Sequence, residues 1–171
     1  MAVPEGLGRL NALPVHEAER VLSRCCASRR WAQVVAAGRP YACQEELYAA
    51  ADSALQRLDD SDLDDALAGH PRIGERPEGE EAAWSRREQS GLSSATDDTL
   101  SAIAAGNRAY EARFGHVYLV CAEGLDADQL LALLRQRLHN DPETERRVLR
   151  AELAKINRIR LGRLVEEEEA A

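Results

Sequence analysis

Apolar positions along the chain recur mostly at intervals of three and four residues, the period of a helix with one face turned inward. Val15, Ala18, Val21, Leu22 and Cys25 make one such stripe, and a second runs through 44–58. Trp31, Gly38 and Pro40 mark a connection between them. A short helix is predicted over 62–69, stopping before His70-Pro71 because the residue ahead of a proline is driven out of helical geometry. Another is predicted over 80–90. After Gly91, Thr96 is placed to cap a helix that carries Leu100, Ile103 and Tyr110 and ends at Gly115. The apolar run 117–121 is too short for a period to be read, and fits a buried extended segment or a helical turn equally. Asp126 opens a leucine-rich helix reaching Leu138. Asp141-Pro142 then supplies a cap, with proline at the first position of a last helix that runs to about Val165. Residues 76–80 mix proline, glycine and charge, which predicts a loop close enough to His70 to border a site.

Composition agrees with helices. Aromatic residues are 4% of the 171, and the apolar fraction is mainly Ala, Leu and Val. An all-α single compact domain of about seven to eight helices over 1–171 is expected, with an acidic tail at 166–171. A net charge of −8, from 22 basic and 30 acidic residues, repels phosphate backbones and anionic lipid, so no nucleic acid and no membrane partner is expected. Charge over the whole chain does not exclude a local basic pocket for a small anion. Cys25, Cys26, Cys43 and Cys121 lack the two-residue spacing of zinc ligands or redox thiols, and read as reduced, buried side chains. Residues 1–14 hold Pro4 and Pro14 and no long apolar run, the pattern of neither a signal peptide nor a membrane span. A cytoplasmic protein is expected.

Three places are chemically unusual. His70 stands at a helix end, held out of helical geometry by Pro71, with Gly74 nearby to let a ligand approach the backbone. A lone imidazole is also what a solvent-exposed loop carries. Ser85 and Glu88 are three apart and share one side of a helix with Trp84 and Leu92 close by, where a carboxylate can hold or move a proton. Arg86 and Arg87 between them fit a plain charged surface helix too. Arg160 falls inside the apolar stripe Leu149, Leu153, Ile156, Leu164, whereas Arg158 and Arg163 project elsewhere. An arginine so placed must snorkel to water, pair with a carboxylate or bind an anionic ligand.

In order along the chain, these motifs resemble those of the OHCU decarboxylases (2-oxo-4-hydroxy-4-carboxy-5-ureidoimidazoline decarboxylases). Leu10-Asn11-Ala12-Leu13-Pro14 is similar to the family's opening, His70-Pro71-Arg72-Ile73-Gly74 to its histidine-proline motif, and Ser85-Arg86-Arg87-Glu88-Gln89-Ser90-Gly91-Leu92 to its central helix. Arg113-Phe114-Gly115, Asn140-Asp141-Pro142 and the closing segment from Glu152 to Leu161 fit as well. Several ordered motifs weigh far more than any one of them.

The resemblance implies an all-helical homodimer with no metal and no organic cofactor. It implies His70 and Glu88 as catalytic residues, and Pro71, Ser85, Gln89, Arg160 and the backbone around Val117, Tyr118 and Leu119 as the binding site of a small anionic ureidoimidazoline. Two positions depart from the family pattern, His116 and Tyr118, and the pocket wall there is expected to differ. The implied substrate carries a hydroxyl and a carboxylate on one ring carbon beside a carbon–nitrogen double bond. Electrons released with carbon dioxide flow into that imine, so no external electron sink is needed. The protein has to supply a dry pocket, donors where negative charge gathers, and one proton to one face of the enol. The competing class is a helical ligand-binding or regulatory module of the same fold that performs no turnover. A purely structural helical partner is disfavoured by the arginine in the apolar stripe and the intact motif set.

Overall fold

The computed structural model describes residues 3–75 and 82–166, and the all-α expectation holds: among the described residues there are nine α-helices and no strand. The helices are α1 (Glu5–Ala12), α2 (Val15–Ser23), α3 (Arg29–Ala37), α4 (Gln44–Gln56), α5 (Asp60–Ala68), α6 (Ala82–Glu88), α7 (Asp97–Phe114), α8 (Ala127–Arg137) and α9 (Pro142–Glu166), with a 3₁₀ turn at Ser90–Leu92. The loop expected over 76–80, the first two positions of the helix expected over 80–90, and the tail beyond Glu166 lie outside the described residues. None of the described helices is long and apolar enough to cross a membrane. The chain divides into two compact units, one of Met1–Gly69 with Ala154–Ala171 and one of His70–Leu153.

The first unit contains two helices that the apolar pattern did not show. Ser28 caps α3 by accepting the Trp31 N–H at 3.2 Å, and Trp31, Ala32, Val35 and Ala36 give it a buried stripe. Gly38 and Pro40 end this helix; they do not mark a plain connection. Trp31 is fully buried and its indole N–H donates to the Ala51 carbonyl of α4 at 3.0 Å, which satisfies the ring's one polar group. Helix α1 buries Leu7 and Leu10. Gly6 has to be glycine here, since a Cβ would stand 1.7 Å from the Val165 carbonyl oxygen. The opening motif is structural: Asn11 donates to the Tyr41 carbonyl and accepts from the Tyr41 N–H, each at 2.9 Å. Arg39 gathers the carbonyls of Leu10 and Leu13 at the end of α1, at 2.6 and 2.8 Å.

The second unit follows its local signals closely. Thr96 accepts the Thr99 N–H at 3.2 Å and α7 ends at Gly115, whose φ of +78° suits glycine. Asp126 and Gln129 form a reciprocal capping box on α8, and Asp141 accepts the Thr144 N–H at 2.9 Å to start α9. The core gathers Ile73, Ile103, Tyr110, Tyr118, Val120, Leu130 and Leu134. The run 117–121 is neither helix nor strand. Within it the Leu119 carbonyl accepts from Arg137 and the Cys121 N–H donates to Glu152.

Candidate active site

The His-Pro motif begins where α5 stops. Gly69 ends that helix, and His70 and Pro71 follow, both half-buried. The turn behind them is anchored at three points. Ile73 inserts into the core of the second unit, its carbonyl accepts from Asn107 Nδ2 of α7 at 2.9 Å, and the Gly74 N–H donates to Gln89 Oε1 at 3.0 Å. Gly74 has φ +90°, the left-handed region, while a Cβ there would find only ordinary contact with Ile103. The left-handed turn therefore favours glycine here. On the outside Arg72 pairs with Glu111 at 2.6 Å and Glu75 at 3.3 Å, exposed contacts of small energetic weight.

Helix α6 turns Ser85 and Glu88 inward. They are 4% and 8% exposed, and Trp84 beside them is buried as well, so this is not a plain charged surface helix. Arg86 and Arg87 take the exposed side. Gln89, expected as a substrate contact, has its amide oxygen on the Gly74 N–H, so it physically joins the central-helix motif to the His-Pro motif. Gly91 then passes so close to 125 that a Cβ would lie 1.9 Å from the Leu125 carbonyl oxygen. Burial pushes the Cys121 thiol up, and the carboxylates of Glu152, Glu88 and Glu123 add to the effect. Glu88 thus lies within electrostatic range of the end of the apolar segment.

In that segment Val117 is half-buried and Tyr118, Leu119 and Val120 are buried. Tyr118 faces the core: its hydroxyl reaches the Leu130 carbonyl at 3.4 Å and its ring meets Tyr110 edge-on at 5.3 Å. His116 joins the same aromatic group, 5.5 Å from Tyr110 and 6.2 Å from Phe114. His116 and Tyr118 therefore sit in one aromatic cluster, with the Tyr118 side chain turned to the core.

In the first unit Arg160 is 3% exposed, flanked along α9 by buried Ile156, Asn157, Leu161 and Leu164. A guanidinium this deep must be met by acceptors, so it does not snorkel. Burial raises the neighbouring Cys26 thiol to about 11, with the Arg160 charge among the influences pulling it back. Arg158 does project outward, pairing with Asp52 through Nε at 3.0 Å. Arg163 does not; it is buried too, because the last two turns of α9 are enclosed on nearly all sides. Cys25 and Cys26 are buried as expected, whereas Cys43 and Cys121 are half-exposed, and none of the four forms a disulfide. Among the described residues no group of three His, Cys, Asp or Glu is placed to share a metal.

Sequence reasoning passed over Asn107, Arg137, Glu145 and Glu152. Arg137 and Glu145 form a buried ion pair, Arg137 also donates to the Leu119 carbonyl, and Glu152 accepts the Cys121 N–H at 2.8 Å. The signal that singled out Arg160 was present for Glu145 as well, four residues before Leu149 on the same stripe, and for Arg137, three after Leu134.

The model of the OHCU decarboxylase family matches residues 11–162. The uric acid degradation bifunctional protein TTL of Arabidopsis thaliana is 30% identical over 145 residues, 82% of this chain but 45% of that protein, so the chain spans less than half of that relative. The 2-oxo-4-hydroxy-4-carboxy-5-ureidoimidazoline decarboxylase of Mus musculus is 30% identical over 151 residues, 85% of this chain and 82% of that one. A solved OHCU decarboxylase, crystallised in the presence of (S)-allantoin, shares the fold with a TM-score of 0.75 at 25% identity, covering 84% of this chain and 96% of that one. With the family model spanning nearly the whole described chain and a full-length relative matching across it, this protein belongs to the OHCU decarboxylase family.

Proposed function

We propose that this chain decarboxylates 2-oxo-4-hydroxy-4-carboxy-5-ureidoimidazoline to (S)-allantoin and carbon dioxide in urate degradation. The observation that carries the assignment is the bond from the Gly74 N–H to Gln89, which ties the His70-Pro71 turn to the helix that buries Ser85 and Glu88. Two family motifs fifteen residues apart are thereby held together in one unit. In the reaction the bond from the ring carbon to the carboxylate breaks, its electron pair forms a carbon–carbon double bond, and the imine nitrogen takes up a proton. The enol that remains becomes the ring carbonyl of the product as its hydroxyl proton leaves and a second proton adds to the carbon bearing the ureido group, which sets the handedness. His70, oriented by Glu88, is the group to deliver that proton. Pro71, Ser85, Gln89 and the backbone of Val117, Tyr118 and Leu119 hold the substrate, and Arg160 supplies a cation. Gripping the leaving carboxylate would stabilise the ground state as much as the transition state, so the better target for Arg160 is a ring or ureido oxygen. The same assignment carries a cytoplasmic homodimer that works without metal or organic cofactor; light scattering should give the mass of two chains.

The test is a chirally resolved assay on freshly generated substrate with a chelator present. Wild-type protein should speed carbon dioxide release and give one enantiomer. His70→Asn should lose rate by about a hundredfold to ten-thousandfold and drift toward racemic product, since water protonates the enol from either face. A variant that keeps near-normal turnover and optical purity would remove His70 from the mechanism. Tight binding with no product from wild type would instead indicate a non-catalytic module.

A further inference from the structure

The second unit encloses a buried ion pair. Arg137 at the end of α8 and Glu145 near the start of α9 are 5% and 0% exposed, and Arg137 Nε donates to Glu145 Oε1 at 2.7 Å with a second nitrogen close by. Glu145 also accepts from the Tyr110 hydroxyl, and from Asn140 Nδ2 at 3.0 Å. The remaining edge of the guanidinium donates through Nη1 to the Leu119 carbonyl. Its carbon stands 4.9 Å from the centre of the Tyr118 ring. Taking both charges out of water is costly, and apolar side chains of similar volume would hold α8 to α9 at least as well. Cohesion alone therefore does not explain the pair. What apolar side chains could not do is grip a carbonyl in a segment that has neither helix nor sheet to orient it.

The geometry of that grip is informative. The 119–120 peptide is trans and planar, so with its oxygen on Arg137 its N–H, that of Val120, points the opposite way. Glu152 accepts the Cys121 N–H at 2.8 Å and fixes the following peptide in the same manner. Two successive peptide planes are thus clamped by side chains from α8 and α9, and the Tyr118 ring is held beneath the guanidinium. We propose that Arg137, locked by Glu145, is a positioning residue: by holding the Leu119 carbonyl it sets the orientation of the Val117–Leu119 wall against which the ureidoimidazoline is bound and protonated. This rests on the decarboxylase assignment above.

The experiment compares wild type, Arg137→Lys and the double variant Arg137→Met with Glu145→Leu. Replacing both charges removes the desolvation cost of the pair but takes a partner from the Tyr110 hydroxyl, the Asn140 amide and the Leu119 carbonyl, so the melting temperature should fall by several degrees in a protein that still folds. Even so, KM should rise about tenfold to a hundredfold and the enantiomeric purity of the product should fall, because a reacting group displaced by about an ångström loses that much. Amide hydrogen exchange at Cys121 should quicken alongside. Recovery of wild-type KM and handedness in the folded double variant would show that the pair only holds the fold, and would overturn the proposal. Should the double variant not fold, Arg137→Lys decides. Lysine keeps the charge but lacks the planar guanidinium that meets Glu145 through Nε while its Nη1 reaches the Leu119 carbonyl. A folded lysine variant with unchanged KM and handedness overturns the proposal, and a raised KM supports it. Inactive wild-type protein would sink the decarboxylase assignment and this proposal together, whereas active wild type with indifferent variants sinks this proposal alone.

Discussion

Arg158 and Arg160 stand two residues apart on α9 in opposite surroundings. Arg158 is half-exposed and paired with Asp52 at the surface, an arrangement worth about 0–1 kcal/mol. Arg160 is almost wholly buried. Losing a charge-assisted contact there should cost about 1.5–3 kcal/mol in kcat/KM, so Arg160→Ala should fall roughly tenfold to a hundredfold below Arg158→Ala. Arg160→Lys should restore little if the contact is forked. Steady-state kinetics with circular dichroism on both variants checks this, and equal loss in two folded proteins would take Arg160 out of the site. Gln89 shows the opposite case at this scale. Its motif marked it as a substrate contact, yet its amide oxygen is engaged by a backbone N–H fifteen residues away. A side chain's identity suggests chemistry, but its partner decides which chemistry is left to it.

At the scale of elements, the proposed site is built from short pieces whose junctions carry the precision. Helix α6 has seven residues, the turn after it three, and 117–121 has no regular structure at all. Such pieces keep their geometry only where neighbours clamp them, and the two glycines at their borders should behave differently. At Gly91 a new Cβ would meet backbone atoms at 1.9 and 2.9 Å, which no rotamer change can relieve. Gly91→Ala should therefore cost about 3 kcal/mol or more and disturb the approach of α6 to the 117–125 stretch. At Gly115 nothing lies within 4 Å of a Cβ, and only the left-handed backbone resists substitution. Gly115→Ala should cost about 1–2 kcal/mol and spare activity in the folded fraction. Urea denaturation read beside turnover separates the two. Equal, small losses for both would mean that the close approach at Gly91 is not as tight as its backbone contacts require.

Over the whole molecule, the buried thiol and phenols make stability depend on alkaline pH. Burial lifts Cys26 from 9.0 to about 11, and Tyr110 and Tyr118, ordinarily near 10.0, are pushed up chiefly by burial as well. A raised folded-state value means the stabilisation is complete below the unfolded value. It is lost as pH climbs toward the folded one, because the unfolded chain ionises first. For Cys26 that window is about pH 9 to 11, and the loss amounts to about 2–3 kcal/mol. Melting temperature should be nearly flat from pH 7 to 8.5, drop beyond pH 9, and drop less in Cys26→Ala. The same slope in both proteins would mean that Cys26 contributes nothing to the alkaline loss. The helical class, the caps at Thr96, Asp126 and Asp141 and the stop at Gly115 could be read from the chain alone, because each depends on residues within one turn of itself. The motifs led to the family for a similar reason, as ordered strings of residues. Helix α3 was missed because its Trp31 is settled by a carbonyl of α4 twenty residues on, and α1 because its end is fastened by Arg39 and Tyr41. Only the tertiary structure decided that 117–121 is irregular and that Arg137 and Glu145 are buried together, since a polar group can leave water only where a distant partner waits for it.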